Sequence, residues 1–83
     1  MMIMITIKEI RRNEHTNDQT GQHELVTLSM YESFSFSIGK VRNIYSVQYI
    51  NFLTMNIDTF TYTTFIGAEK RFLKISKAMH IHV

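Results

Sequence analysis

With 83 residues, no cysteine and no proline, the chain forms one small domain that can hold no disulfide, no cysteine-ligated zinc and no thiol nucleophile. A chain of this length buries only about two-thirds of its unfolded surface, so its core is modest, and no stretch approaches the roughly 20 apolar residues of a membrane-spanning helix. The net charge of +2 is unevenly distributed: residues 1–39 carry three basic and five acidic side chains, residues 40–83 six and two.

The opening run MMIMITIKEIRR places its charges after the apolar stretch, the reverse of a secretory leader. Small secreted domains usually need bridges, so a chain without cysteine is expected in the cytoplasm. Residues 2–11 alternate, with Ile3, Ile5 and Ile7 on one face, and are predicted to form a first strand. Residues 12–22, RNEHTNDQTGQ, are polar and turn-rich and are predicted to be a loop joining two antiparallel strands.

Alternation resumes at His23. Val26, Leu28 and Met30 share one face, and Phe34, Phe36 and Ile38 continue the same phase. Glu32 interrupts the row, and an unpaired carboxylate is costly to bury. A bend or bulge is therefore expected there, giving strands over 23–31 and 33–38 or one long bent strand. Phe34, Phe36 and Ile38 are expected to meet Phe72, Ile75 and Met79 of a C-terminal helix. Residues 40–56 fit either period, because Val41, Ile44, Tyr45, Val47, Tyr49, Ile50 and Leu53 leave no polar face. Their β-branched and aromatic character favours a strand. The stretch NIDT, residues 56–59, then turns the chain into a strand over 58–66, with Phe60 and Tyr62 inward and Thr59, Thr61 and Thr63 outward. From residue 68 the period becomes helical: Ala68, Phe72, Ile75 and Met79 form an apolar arc opposite Lys70, Lys74 and Lys77. A helix over 68–79 and an extended HIHV tail follow. The fold class is thus α+β and β-rich, an antiparallel sheet of four or five strands with one C-terminal amphipathic helix; the alternative is a small all-β barrel.

No arrangement of histidines, serines and acids matches a catalytic motif, and there is no glycine-rich phosphate loop, so no enzyme activity and no cofactor are expected. His80 and His82 share a face if extended, but a zinc site needs at least one further ligand that the spacing does not supply. No metal site is assigned. Candidate partner-binding residues are the cations Lys40, Arg42, Lys70, Arg71, Lys74 and Lys77 and the aromatic residues Tyr45 and Tyr49. Against this stands the plainer reading of a solvated helix face and half-buried sheet tyrosines. Nearly half the residues are apolar, and an apolar surface that the small core leaves uncovered would favour docking or homodimerisation.

The expected function is a small cytoplasmic protein-binding module that occupies a surface on a larger protein or protein–nucleic acid complex. Abundant Phe, Tyr, Met, Ile, Asn and Lys, with scarce Gly, Ala, Arg and Pro, suggest an A/T-rich gene such as those of phages and mobile elements. That origin points by analogy to an inhibitor of a host system, of the anti-defence or anti-CRISPR type. The alternative is a nucleic-acid-binding β-rich domain, in which Tyr45, Tyr49 and Tyr62 stack bases beside the cations.

Overall fold

The computed structural model describes residues 2–35 and 39–80. Four strands, β1 (Met2–Asn17), β2 (Gln22–Ser35), β3 (Lys40–Asn51) and β4 (Asn56–Tyr62), form one antiparallel sheet in the order β1-β2-β3-β4. A single helix, α1 (Phe65–His80), packs on one face. This is the α+β arrangement expected from the sequence, with four strands.

Alternation sets the core. On the helix side, Val26 and Leu28 of β2 and Val47 of β3 are fully buried beneath Ala68, Phe72 and Met79. Tyr45, Tyr49, Phe60, Tyr62, Phe65 and Ile75 close around them. Each such aliphatic side chain contributes about 1.5–3 kcal/mol when removed from water. Phe60 and Tyr62 thus face inward as expected, and β3 is a strand. Its apolarity on both faces has a simple cause. Odd positions 45, 47 and 49 face the helix, while Ile44 and Ile50 lie on the opposite, open face, in register with Tyr31 and Leu25 of β2. Leu25, Ile50 and Ile57 make one apolar row there, and Ile7, Tyr31 and Ile44 another.

Several boundaries differ from the sequence reading. The polar stretch 12–17 is strand, not loop: Asn13 to Asn17 pair with Val26 to Gln22. An edge strand keeps its backbone hydrogen bonds while its polar side chains stay in water, so polarity alone does not mark a loop. Strand β2 runs unbroken through Glu32. The irregularity expected there sits on the facing strand, where register shifts between Met4 and Thr6 and again between Glu9 and Arg11. Bulges on an edge strand are a common way to bend and protect it. The turn expected at 56–59 falls at 52–55, and β4 ends at Tyr62 instead of continuing to Ile66.

The helix begins at Phe65, three residues before the expected start. Thr64 caps it, its Oγ1 accepting the Gly67 amide at 3.3 Å. Gly67 is needed for close approach: a Cβ there would lie 3.1 Å from Thr64 Oγ1 and 3.2 Å from the Tyr62 ring. The helix runs from the Tyr45 row, where Phe65 meets Tyr45 edge-to-face at 5.8 Å, back toward Glu24. Sixteen residues span about 24 Å, whereas the molecule is 52 Å long. Its radius of gyration of 15.1 Å exceeds the roughly 12 Å of a compact chain of this size. Phe36 and Ile38 lie outside the described residues, as do residues 81–83, and of Phe34 only the backbone pairing, with Ile3 and Val41, is described. Their intended partners Phe72, Ile75 and Met79 pack with Val26, Leu28 and Val47.

Candidate functional site at the loop end of the sheet

The meander places the β1–β2 loop (18–21) and the β3–β4 loop (52–55) at the same end. Both are built alike. An asparagine ends the incoming strand, and its Oδ1 accepts two amide hydrogens from the loop. Asn17 takes those of Gln19 at 3.1 Å and Thr20 at 3.4 Å; Asn51 takes those of Leu53 at 3.0 Å and Thr54 at 3.2 Å. Such a side-chain turn fixes the loop without help from the core. The fourth loop residue is left-handed in both: Gly21 at φ 73° and Met55 at φ 60°.

Their surfaces differ. The first loop is Asp-Gln-Thr-Gly, the second Phe-Leu-Thr-Met. Leu53 is 62% exposed, Met55 70% and the following Ile57 57%. Phe52 is better supported. Its ring stacks on His23 at 4.4 Å, and its amide donates to the His23 carbonyl at 2.9 Å. With Leu25 and Ile50 on the open face, these residues form an apolar tip. Two acids lie at this end of the sheet on the tip's own side or loop, Glu14, which pairs with His23, and Asp18 of the first loop, while Glu24 and Asp58 lie on the opposite, helix-facing side. Residues 13–39 and 43–69 contain no lysine or arginine, so neither loop nor the strand segments flanking it carry one.

Under the end of the helix lies a cleft of about 180 Å³, lined by Glu24, Tyr49, Phe60 and the exposed Asp58 from the sheet and by Ile75, Ala78 and Met79 from the helix. These three polar residues come from three adjacent strands on the helix-facing side. Glu24 is only 3% exposed and accepts a 2.6 Å hydrogen bond from Gln22 Nε2. The Tyr49 hydroxyl reaches Glu24 and Asn51. Burial, and then the negative charge of Glu24, push its pKa above 10.0.

The cations proposed from sequence fall into separate places. Lys70, Lys74 and Lys77 are exposed on the outer side of α1, with Leu73 and Ile66 among them. Arg71 turns inward instead: its guanidinium lies 4.4 Å over the Phe60 ring and its Nε donates to the Tyr62 hydroxyl at 2.8 Å. It ties helix to sheet. Arg42 is exposed and, with Asn43, Ile44 and Thr63, borders a second depression. Lys40 opens β3 in register with Ser35. Tyr45, Tyr49 and Tyr62 lie on the helix-covered face, so the open face does not offer them to bases. His80 closes α1 and His82 lies outside the described residues. Among the described residues, no cluster of three or more histidines and acids could hold a metal, and no helix is long and apolar enough to cross a membrane.

Leu53, Met55 and Ile57 were not singled out as site residues from sequence, although the signal is there: NDQTGQ and NFLTMN share Asn first and Thr fourth. No family model, curated protein or solved structure matches the chain.

Proposed function

We propose that the chain is a small protein-binding module, without catalytic activity of its own, that docks through its loop end. The partner surface it fits is apolar and bordered by lysine or arginine, complementary to Phe52, Leu53, Met55 and Ile57 and to Glu14 and Asp18 at the same end of the sheet. Occupying such a surface is how an inhibitor of a host system would act, and an amino-acid composition rich in residues with A/T-rich codons suits a phage or mobile-element origin in a bacterial cytoplasm.

One observation carries the reading. Met55 holds a left-handed conformation that disfavours any L-residue other than glycine, asparagine or aspartate, by roughly 1 kcal/mol. Its side chain recovers little by burial, being 70% exposed. The sister loop fills the same position with glycine and the rest with polar residues. Folding therefore does not require Phe-Leu-Thr-Met, and strain with exposure at one place is a mark of a functional surface. Contiguous exposed apolar side chains inside a polar rim point the same way.

The test is capture from nuclease-treated bacterial lysate with the wild type and with a graft of the polar loop, Phe52→Asp, Leu53→Gln and Met55→Gly. The graft keeps its fold by circular dichroism and loses a protein that the wild type retains, while Lys70→Ala, Lys74→Ala and Lys77→Ala together leave it bound. An unchanged set of captured proteins in the graft overturns the docking reading. The exposed lysine stripe favours a second reading, nucleic-acid binding. In that case capture fails after nuclease, and affinity falls by about one log unit per log of salt for each phosphate neutralised.

A further inference from the structure

The cleft beside the docking tip has a chemistry of its own. Its helix side and Phe60 are apolar, and two carboxylates line it from the sheet, the buried Glu24 and the exposed Asp58, with the Tyr49 phenol between their strands. Glu24 is almost wholly withdrawn from water. A buried carboxylate is stable only when paired or well hydrogen-bonded. Here the hydrogen bond it accepts comes from a neutral group, the Gln22 amide, and the Tyr49 phenol lines the same cleft. The ion pairs seen among the described residues join Arg11 to Glu69, Arg12 to Glu9 and His23 to Glu14, and none of these engages Glu24 or Asp58. Arg71 is held away from these carboxylates, over Phe60 and on Tyr62. That contact also shows that one wall of the cleft already accepts a guanidinium against its ring.

We infer that this cleft holds an alkylammonium or alkylguanidinium group: the cation on Glu24 and Asp58, and its short methylene stem against Phe60, Ile75 and Met79. The volume of about 180 Å³ suits a group of that size, since an apolar cavity of about 150 Å³ takes up benzene. Apolar walls with a few convergent polar groups are the usual make-up of a small-molecule site. The cation can be the lysine or arginine side chain of a basic partner, and for that source the inference rests on the docking reading. It can equally be a free small amine, which needs no partner.

The experiment titrates the full chain with n-butylguanidinium and, separately, with its neutral counterpart n-butylurea, following the Ile75, Ala78 and Met79 methyl resonances. Saturable shifts with the cation, at a Kd of about a millimolar as befits so small a ligand, and none with the urea are expected. Glu24→Gln weakens binding by roughly 5-fold or more if the charge carries it; Asp58→Asn provides the same test should Glu24→Gln not fold. Equal binding of the urea, no saturable shift, or full affinity in a folded charge-removing variant overturns the inference. The loop graft separates this result from the docking one, because it leaves the cleft intact and keeps n-butylguanidinium binding. Displacement of the captured partner by n-butylguanidinium identifies a partner side chain as the natural occupant; binding without displacement identifies a free amine.

Discussion

The two loops at the end of the sheet share a backbone and differ in what they show to water. Asn17 and Asn51 each anchor their loop with two accepted amide hydrogens, and each loop closes on a left-handed residue. Asp-Gln-Thr-Gly is what a solvated turn needs. Phe-Leu-Thr-Met makes the same turn with three large apolar side chains, one of them a strained methionine. The comparison separates what the hairpin demands, an asparagine and a positive φ, from what it merely carries. The residues it merely carries are the candidates for function.

The strongest attempt to break the comparison is the graft of the polar loop onto residues 52–55. If the apolar side chains include contact hot spots, worth about 2 kcal/mol or more each on truncation, partner affinity falls by at least roughly 30-fold, measured by titration against the captured partner. Unfolding midpoints in urea should barely move. Next in size are Asn17→Ala and Asn51→Ala. Each removes two hydrogen bonds of about 1 kcal/mol, so each should destabilise the chain by about 1–2 kcal/mol in chemical denaturation. A loss at one position and none at the other would show that the two loops are not held alike. Smaller still are the reciprocal changes at the left-handed position. Met55→Gly should stabilise by up to about 1 kcal/mol and Gly21→Ala destabilise by a similar amount, read from the same curves.

The smallest effect belongs to pH. Asn51 is also within reach of the Tyr49 hydroxyl. The folded state holds the Tyr49 proton more tightly than the unfolded chain, because burial and then Glu24 raise its pKa above 10.0. Its contribution is therefore fully present below pH 10 and is lost as pH rises through the folded value. Thermal melts between pH 9 and 11 should show a loss in the wild type that Tyr49→Phe removes. A loss of the same size in both would assign it to other groups.

Much of the fold was legible in the residues because burial on one side leaves a period. Val26 and Leu28 alternate against the helix, Phe60 and Tyr62 do the same, and Ala68, Phe72, Ile75 and Met79 repeat at the helical spacing. Where a segment has no one-sided burial the period is uninformative. β1 between Asn13 and Asn17 is an edge strand with polar side chains, and composition makes it look like a loop. β3 carries apolar residues on both faces, so strand and helix patterns coincide. The site was harder to see. The basic residues concentrate in the second half of the sequence, yet folding divides them: Arg71 packs inward, Lys70, Lys74 and Lys77 face outward, and the loop end gathers acids from both halves. Glu24 and Asp58, distant in sequence, meet at one cleft only because β2, β3 and β4 lie in register. No local pattern announces that.

The order of the elements along the chain has a consequence for biosynthesis. Each strand pairs with its neighbour in sequence, so the sheet can assemble hairpin by hairpin as it leaves the ribosome, with only short loops to close. The cover arrives last. Until α1 has docked, Val26, Leu28 and Val47 have nothing to bury them, and apolar side chains face water on the side the helix will cover as well as in the rows of the open face. Folding therefore passes through an interval in which the helix-facing side of the sheet is exposed, and a chain that is slow to dock α1 is prone to aggregate in that interval.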